Sequence, residues 1–189
     1  MDTLDSKGFK TAPSARPLIL RGGIIASLIL IALGLVFQLS GFTDVTQQYS
    51  AGNMLAGLLS YAIMTAAGIL TVKQYRDEDL NGYISMGRAF GISMLVILII
   101  AVIQALWTVV YMELINPDLM KEAVEAQMDK MIEDGQVTEE QLETSSGMMG
   151  FFTSTWFLAS FSLFSMLFTG LLLSLVVALV TKKEPKVSF

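Results

Sequence analysis

Residues 89–114 read AFGISMLVILIIAVIQALWTVVYMEL. The one charged residue in this stretch, Glu113, stands at its far end. A helix needs about 20 apolar residues to cross a hydrocarbon core, so the run is long enough to span one. Three further runs, at about 18–39, 54–72 and 151–180, share this character, and no charge interrupts their cores. Arg21 lies close enough to the start of the first for its side chain to snorkel to the headgroups. The expected fold is therefore all-α: a four-helix transmembrane bundle with an acidic helical extracytoplasmic insertion between spans three and four.

Composition narrows the possible chemistry. Of 189 residues, 53% are hydrophobic and 15% charged, with a mean hydropathy of +0.62. Soluble domains average about 25% charged, so lipid is the expected solvent. A net charge of −5 disfavours nucleic acid as a partner. The chain has neither Cys nor His, which removes the thiolate nucleophile and the commonest general base and metal ligand. No enzyme, cofactor or metal site is expected, and the lipid bilayer is the first partner.

Orientation follows the cations. Ten Lys and Arg lie before or at the start of span one, between spans two and three, or after span four, whereas only Lys121 and Lys130 fall on the other side. The positive-inside rule then puts both termini in the cytoplasm. Trp107, Tyr111, Phe151, Phe152 and Trp156 suit the opposite interface. Span one exceeds the usual length of a signal peptide's apolar core and is read as uncleaved, preceded by a mobile cytoplasmic tail over residues 1–17. Residues 18–189 then form one membrane domain, with the insertion at 115–150.

Small residues recur four apart: Gly22–Ala26, Gly23–Ser27, Gly52–Ala56–Ser60, Gly87–Gly91, Ala101–Ala105 and Gly170–Ser174–Ala178. In lipid such spacing lets helices approach closely, and packing within one bundle is expected, with a dimerisation face as the alternative. Gln104 is the most polar mid-span residue and reads as an interhelical hydrogen-bond partner. The hydroxyls of span four (Ser160, Ser162, Ser165, Thr169, Ser174) can return to their own i−4 carbonyls.

Two connecting segments are candidate interaction sites. The first runs from Lys73 to Phe90. Its Asp77-x-Asp79-x-Asn81-Gly82 matches the opening of a calcium loop, but the position that needs a bidentate Glu holds Arg88. A turn is the expected reading: Asn81-Gly82 provides positive φ, Ser85 caps span three, and Arg76 and Arg88 face the acidic trio. The second is the insertion, which carries net −7. Pro117 begins a helix on which Met120, Val124, Met128, Met131 and Ile132 recur at helical spacing, and Gly135 stops it. A shorter helix is expected from Thr138, with Gln141 completing a capping box. A solvated helix with its Met face on the bundle or bilayer is the expected state. A docking surface is the alternative, since exposed Met adapts to partners.

The motif Tyr75-Arg76-Asp77-Glu78…Gly82-Tyr83-Ile84-Ser85-x-Gly87-Arg88-Ala89-Phe90 resembles the bacterial membrane family called domain of unknown function 4199. The four-span layout, Asn116-Pro117-Asp118, the charged Met-containing helix and Lys182-Lys183 extend the likeness over most of the chain. The resemblance implies a small bacterial inner-membrane protein with no established activity and brings no catalytic residues. A non-enzymatic accessory or scaffolding role is expected, recognising a protein partner or a second copy through Tyr75, Arg76, Asp77, Gly82, Tyr83 and Arg88, or through Met120, Val124, Met128 and Met131. The alternative is a small oligomeric transporter or channel, with Gln104 and the span-four hydroxyls along its path. An intramembrane enzyme is the least expected.

Overall fold

A computed structural model describes residues 13–43, 50–135 and 150–184, apart from the side chains at positions 120, 127, 130 and 133. Four helices are long and apolar enough to cross a membrane. They are α1 (Arg16–Leu39), α2 (Ala51–Asp79), α3 (Met86–Val110, continued by a π-helical turn Tyr111–Ile115) and α5 (Thr155–Thr181). Between the last two lies α4 (Leu119–Glu133). Among the described residues there is no strand, only one isolated antiparallel bridge, Ile84 with Lys183. The expected all-α four-span architecture is the one observed.

Local chemistry sets the helix ends. Pro17 sits in the first turn of α1, where a missing N–H costs nothing. At its other end Gly41 adopts φ 70°, Phe42 N–H donates to the Phe37 carbonyl (2.9 Å) and Gly41 N–H to Gln38 (3.1 Å). The two phenylalanine rings close this stop at 4.9 Å between centroids. Ser50 accepts the Asn53 N–H and starts α2 three residues before the expected boundary.

α2 also ends later than expected, at Asp79 and not Val72. Lys73–Asp79 is too polar for lipid, yet Lys, Gln, Arg and Glu are good helix formers. Gln74 donates to the Glu78 carboxylate one turn on (3.2 Å). Polarity ends the apolar run there without ending the helix. The stop comes at Asn81 (φ 53°) and Gly82 (φ 85°), where the expected positive angles occur and Gly82 N–H reaches back to the Arg76 carbonyl at 2.8 Å.

Other boundaries differ from expectation. Ser85 occupies the position before α3 with extended backbone, but its hydroxyl makes no cap hydrogen bond. α4 begins at Leu119, because Asn116 and Pro117 form a turn whose Asn116 carbonyl accepts the Leu119 N–H. Gly135 (φ 68°) follows α4 as expected. α5 begins at Thr155, since Ser154 accepts the Phe157 N–H and opens a new helix after Phe151 and Phe152. The helix expected from Thr138 and Gln141 lies outside the described residues. The leader joins the bundle before Pro17: α1 starts at Arg16, and residues 1–12 lie outside the described residues.

α3 is the hub. It packs most extensively on α5, then on α1 and α2, while α2 also touches α1 and α5. α2 and α3 thus form the short diagonal of a rhombus, with α1 and α5 at its far corners. The core is built from Met64, Val72, Val96, Ile97, Ile100 and Val177, all fully buried. Only 22–39% of each span's apolar window is buried, and the remainder presents Leu, Ile, Val and Phe outward. So much apolar surface on the outside requires lipid around it.

The small residues divide into two groups. A Cβ at Gly170 would strike Ile97, and one at Gly23 would lie 2.7 Å from Ile99. At Gly68 a Cβ would come within 3.1 Å of Val177. Ser27, Ser174 and Ala178 are fully or almost fully buried beside these approaches. Gly87 and Gly91 instead face open space, so that pair marks no helix contact within the chain.

Candidate functional site

The Lys73–Phe90 segment holds the four helix ends at the basic pole of the bundle. Tyr75, 1% exposed on the last turns of α2, donates its hydroxyl to the Pro13 carbonyl at 2.7 Å. The same oxygen accepts from Arg88 Nη2 at 2.7 Å, and the Arg88 guanidinium also lies over the Tyr75 ring, 5.3 Å from its centroid. Arg76 chelates Asp77 through Nε (2.7 Å) and Nη2 (3.0 Å), and its Nη1 donates to the Thr181 carbonyl at the end of α5 (3.0 Å). Past the turn, Ile84 and Lys183 exchange N–H···O bonds of 2.9 and 3.0 Å, and Lys183 Nζ sits 5.7 Å from the Tyr83 ring centroid. The start of α1, the α2–α3 turn and the end of α5 are thereby tied together.

Chemically this is a clasp. Asp77 and Asp79 lie on the last turn of α2 and not in a loop, and both Asp77 oxygens are occupied by Arg76. Arg88 turns to Tyr75 and not to the acidic trio, because a planar cation gains both a hydrogen bond and an aromatic face there. Asp77 and Tyr83 remain exposed on the outer surface of the clasp, whereas Tyr75 and Ile84 are sealed inside it. All six residues singled out in this segment come together. Pro13 and Thr181 join them with no sequence signal, since each meets the clasp side chains only through its backbone carbonyl.

The remaining candidates lie elsewhere. On α4, Ala123 is buried, Val124, Met128 and Met131 are half-buried, and Ile132 is exposed. The Met120 side chain lies outside the described residues. Leu119 closes a cavity of about 260 Å³ near the other pole, where Gln104 and Gln38 face it together with Trp107, Thr108 and Tyr111. No α5 residue lines that cavity, and Gln104 takes part in hydrogen bonding through its backbone, accepting from the Thr108 hydroxyl at 3.0 Å. The expected return of the span-four hydroxyls to their own helix is not seen: Ser160, Ser162, Ser165 and Thr169 make no side-chain hydrogen bond among the described residues, the Ser174 hydroxyl approaches Met94 Sδ (3.8 Å), and the Ser174 carbonyl lies 3.4 Å from the Ser93 hydroxyl. Rings gather at this pole: Trp107 and Tyr111 lie 6.0 Å apart, Phe151, Phe152 and Phe157 are in mutual contact, and Phe161 stacks on Phe157, while Trp156, expected among them, is exposed and outside the cluster.

No curated protein and no solved structure matches the chain. A family model described as a protein of unknown function, DUF4199, matches residues 21–183, from the first turns of α1 to the bridge residue Lys183. The match takes in most of α1, the other three spans, α4 and all of the clasp but Pro13, and on that ground the chain belongs to the DUF4199 family.

Proposed function

We propose that this is a non-enzymatic protein of the bacterial inner membrane, with both termini cytoplasmic, serving as an accessory or scaffolding subunit. The observation that carries this reading is how the interior polar groups are used. The hydroxyls of Ser27, Ser60, Thr65, Ser93, Thr108 and Thr181 each bond a carbonyl of their own helix. Tyr75, Arg76 and Arg88 bind other parts of the same chain. Groups spent in this way hold a shape. The surfaces left for a partner are the acidic α4 and the outer face of the clasp, with its exposed Asp77 and Tyr83.

A photo-crosslinker at Val124 or Met128 tests the role in cells, with one recurrent protein captured as the expected result. Adducts to lipid alone would contradict it. The cavity shared by Gln104 and Gln38 is the observation favouring a transporter or channel. On the scaffold reading, vesicles containing the purified chain show no solute flux that Gln104→Leu abolishes.

A further inference from the structure

A groove of about 430 Å³ opens between α1 and α2 at the basic pole. Its lining is graded along the bundle axis. Ile25, Ile29 and Ile63 line the deeper part, and Arg21, Thr71 and Gln74 stand toward the pole. Eight residues separate Arg21 from Ile29, about 12 Å of helix at 1.5 Å per residue. One leaflet of a hydrocarbon core is about 15 Å deep, so the groove has the reach of an acyl chain.

The polar end is short of partners. Arg21 is exposed and makes no ion pair or hydrogen bond among the described residues. Thr71 is 5% exposed and lines the groove, its oxygen lying against the bare Gly22. Thr65, Thr108 and Thr181 all bond the carbonyl four residues back, but the Thr71 hydroxyl has no hydrogen-bond partner among the described residues. No fully enclosed side-chain polar atom there lacks a partner, so this hydroxyl must remain reachable from the groove. Among the described residues no carboxylate lines the groove, and Glu78, one turn beyond Gln74, accepts from the Gln74 amide.

We infer that the groove binds a glycerophospholipid from the surrounding bilayer. The acyl chain lies along Ile25, Ile29 and Ile63, an ester carbonyl accepts from the Thr71 hydroxyl, and the phosphate meets Arg21. Basic pockets between membrane helices hold lipid headgroups by this combination of an apolar trough and a cation at headgroup depth. The site requires only the four-span bundle and not the accessory role, so the two stand or fall separately.

The test is native mass spectrometry of the full chain released from vesicles of phosphatidylglycerol and phosphatidylethanolamine. The parent chain retains at least one phospholipid. The double variant Arg21→Gln, Thr71→Val lowers the retained fraction about tenfold, as expected for loss of a charge-assisted contact to phosphate. Ala66→Phe fills the groove from its exposed wall, leaves both polar residues in place and lowers retention similarly. Retention unchanged in Ala66→Phe would overturn the site even if the double variant fails to fold. A photo-crosslinker at Leu70 that captures a second copy of the chain in place of phospholipid would also overturn it.

Discussion

At Tyr75 one phenol oxygen donates to a backbone carbonyl 62 residues away and accepts from a guanidinium, while its ring carries that same cation. Removing the hydroxyl takes away two hydrogen bonds whose other partners, the Pro13 carbonyl and the Arg88 guanidinium, are exposed enough to turn to water, so each bond lost costs about 0.5–1.5 kcal/mol. Tyr75→Phe therefore lowers the thermal midpoint in mild detergent. Arg88→Lys also lowers it, because an ammonium cannot reproduce the planar fork. A Tyr75→Phe midpoint equal to the parent's would mean that the clasp bears no load. Asp77 behaves differently. Its side chain is 53% exposed, and although the Arg76 guanidinium holds its carboxyl below the usual carboxylate range, water screens the pair and leaves it little weight in stability. The fixed aim of Arg76 at Thr181 matters more than that pair's own energy.

Among the elements, the contact between α3 and α5 decides how closely the bundle closes. Ile97 is fully buried and β-branched, so it cannot swing away from a Cβ added at Gly170. Gly170→Ala is expected to destabilise by about 1–3 kcal/mol through overpacking. Gly91→Ala, facing open space in mid-helix, is expected to be neutral or stabilising by up to about 1 kcal/mol. Equal effects of the two substitutions on the unfolding midpoint would contradict the packing described. Sequence spacing alone cannot separate these glycines, because both belong to small-residue pairs four apart. Helix ends were legible where φ decides them, as at Asn81 and Gly135, whereas the stop at Gly41 carried no signal that was read. They were not legible at Asp79, since hydropathy reports where lipid ends and not where a helix ends.

For the whole molecule, the four helices long and apolar enough to cross a membrane were readable in the sequence. The clasp was only partly readable. Its side chains form a distinctive motif, but their targets at Pro13, Thr181 and Lys183 are backbone atoms that no residue pattern announces. The groove on α1 and α2 was not readable at all, because it depends on one threonine failing to bond its own helix. The central claim is that α1 and α5 begin and end at one pole, on the cytoplasmic side of a four-span bundle. The chain has no native Cys, so single cysteines at Ser14, Ser40, Asn81 and Asp134 can be probed with a membrane-impermeant maleimide in intact cells. Ser40 and Asp134 positions should label from outside, and Ser14 and Asn81 only after permeabilisation. Labelling of the Ser14 or Asn81 position in intact cells would contradict the account.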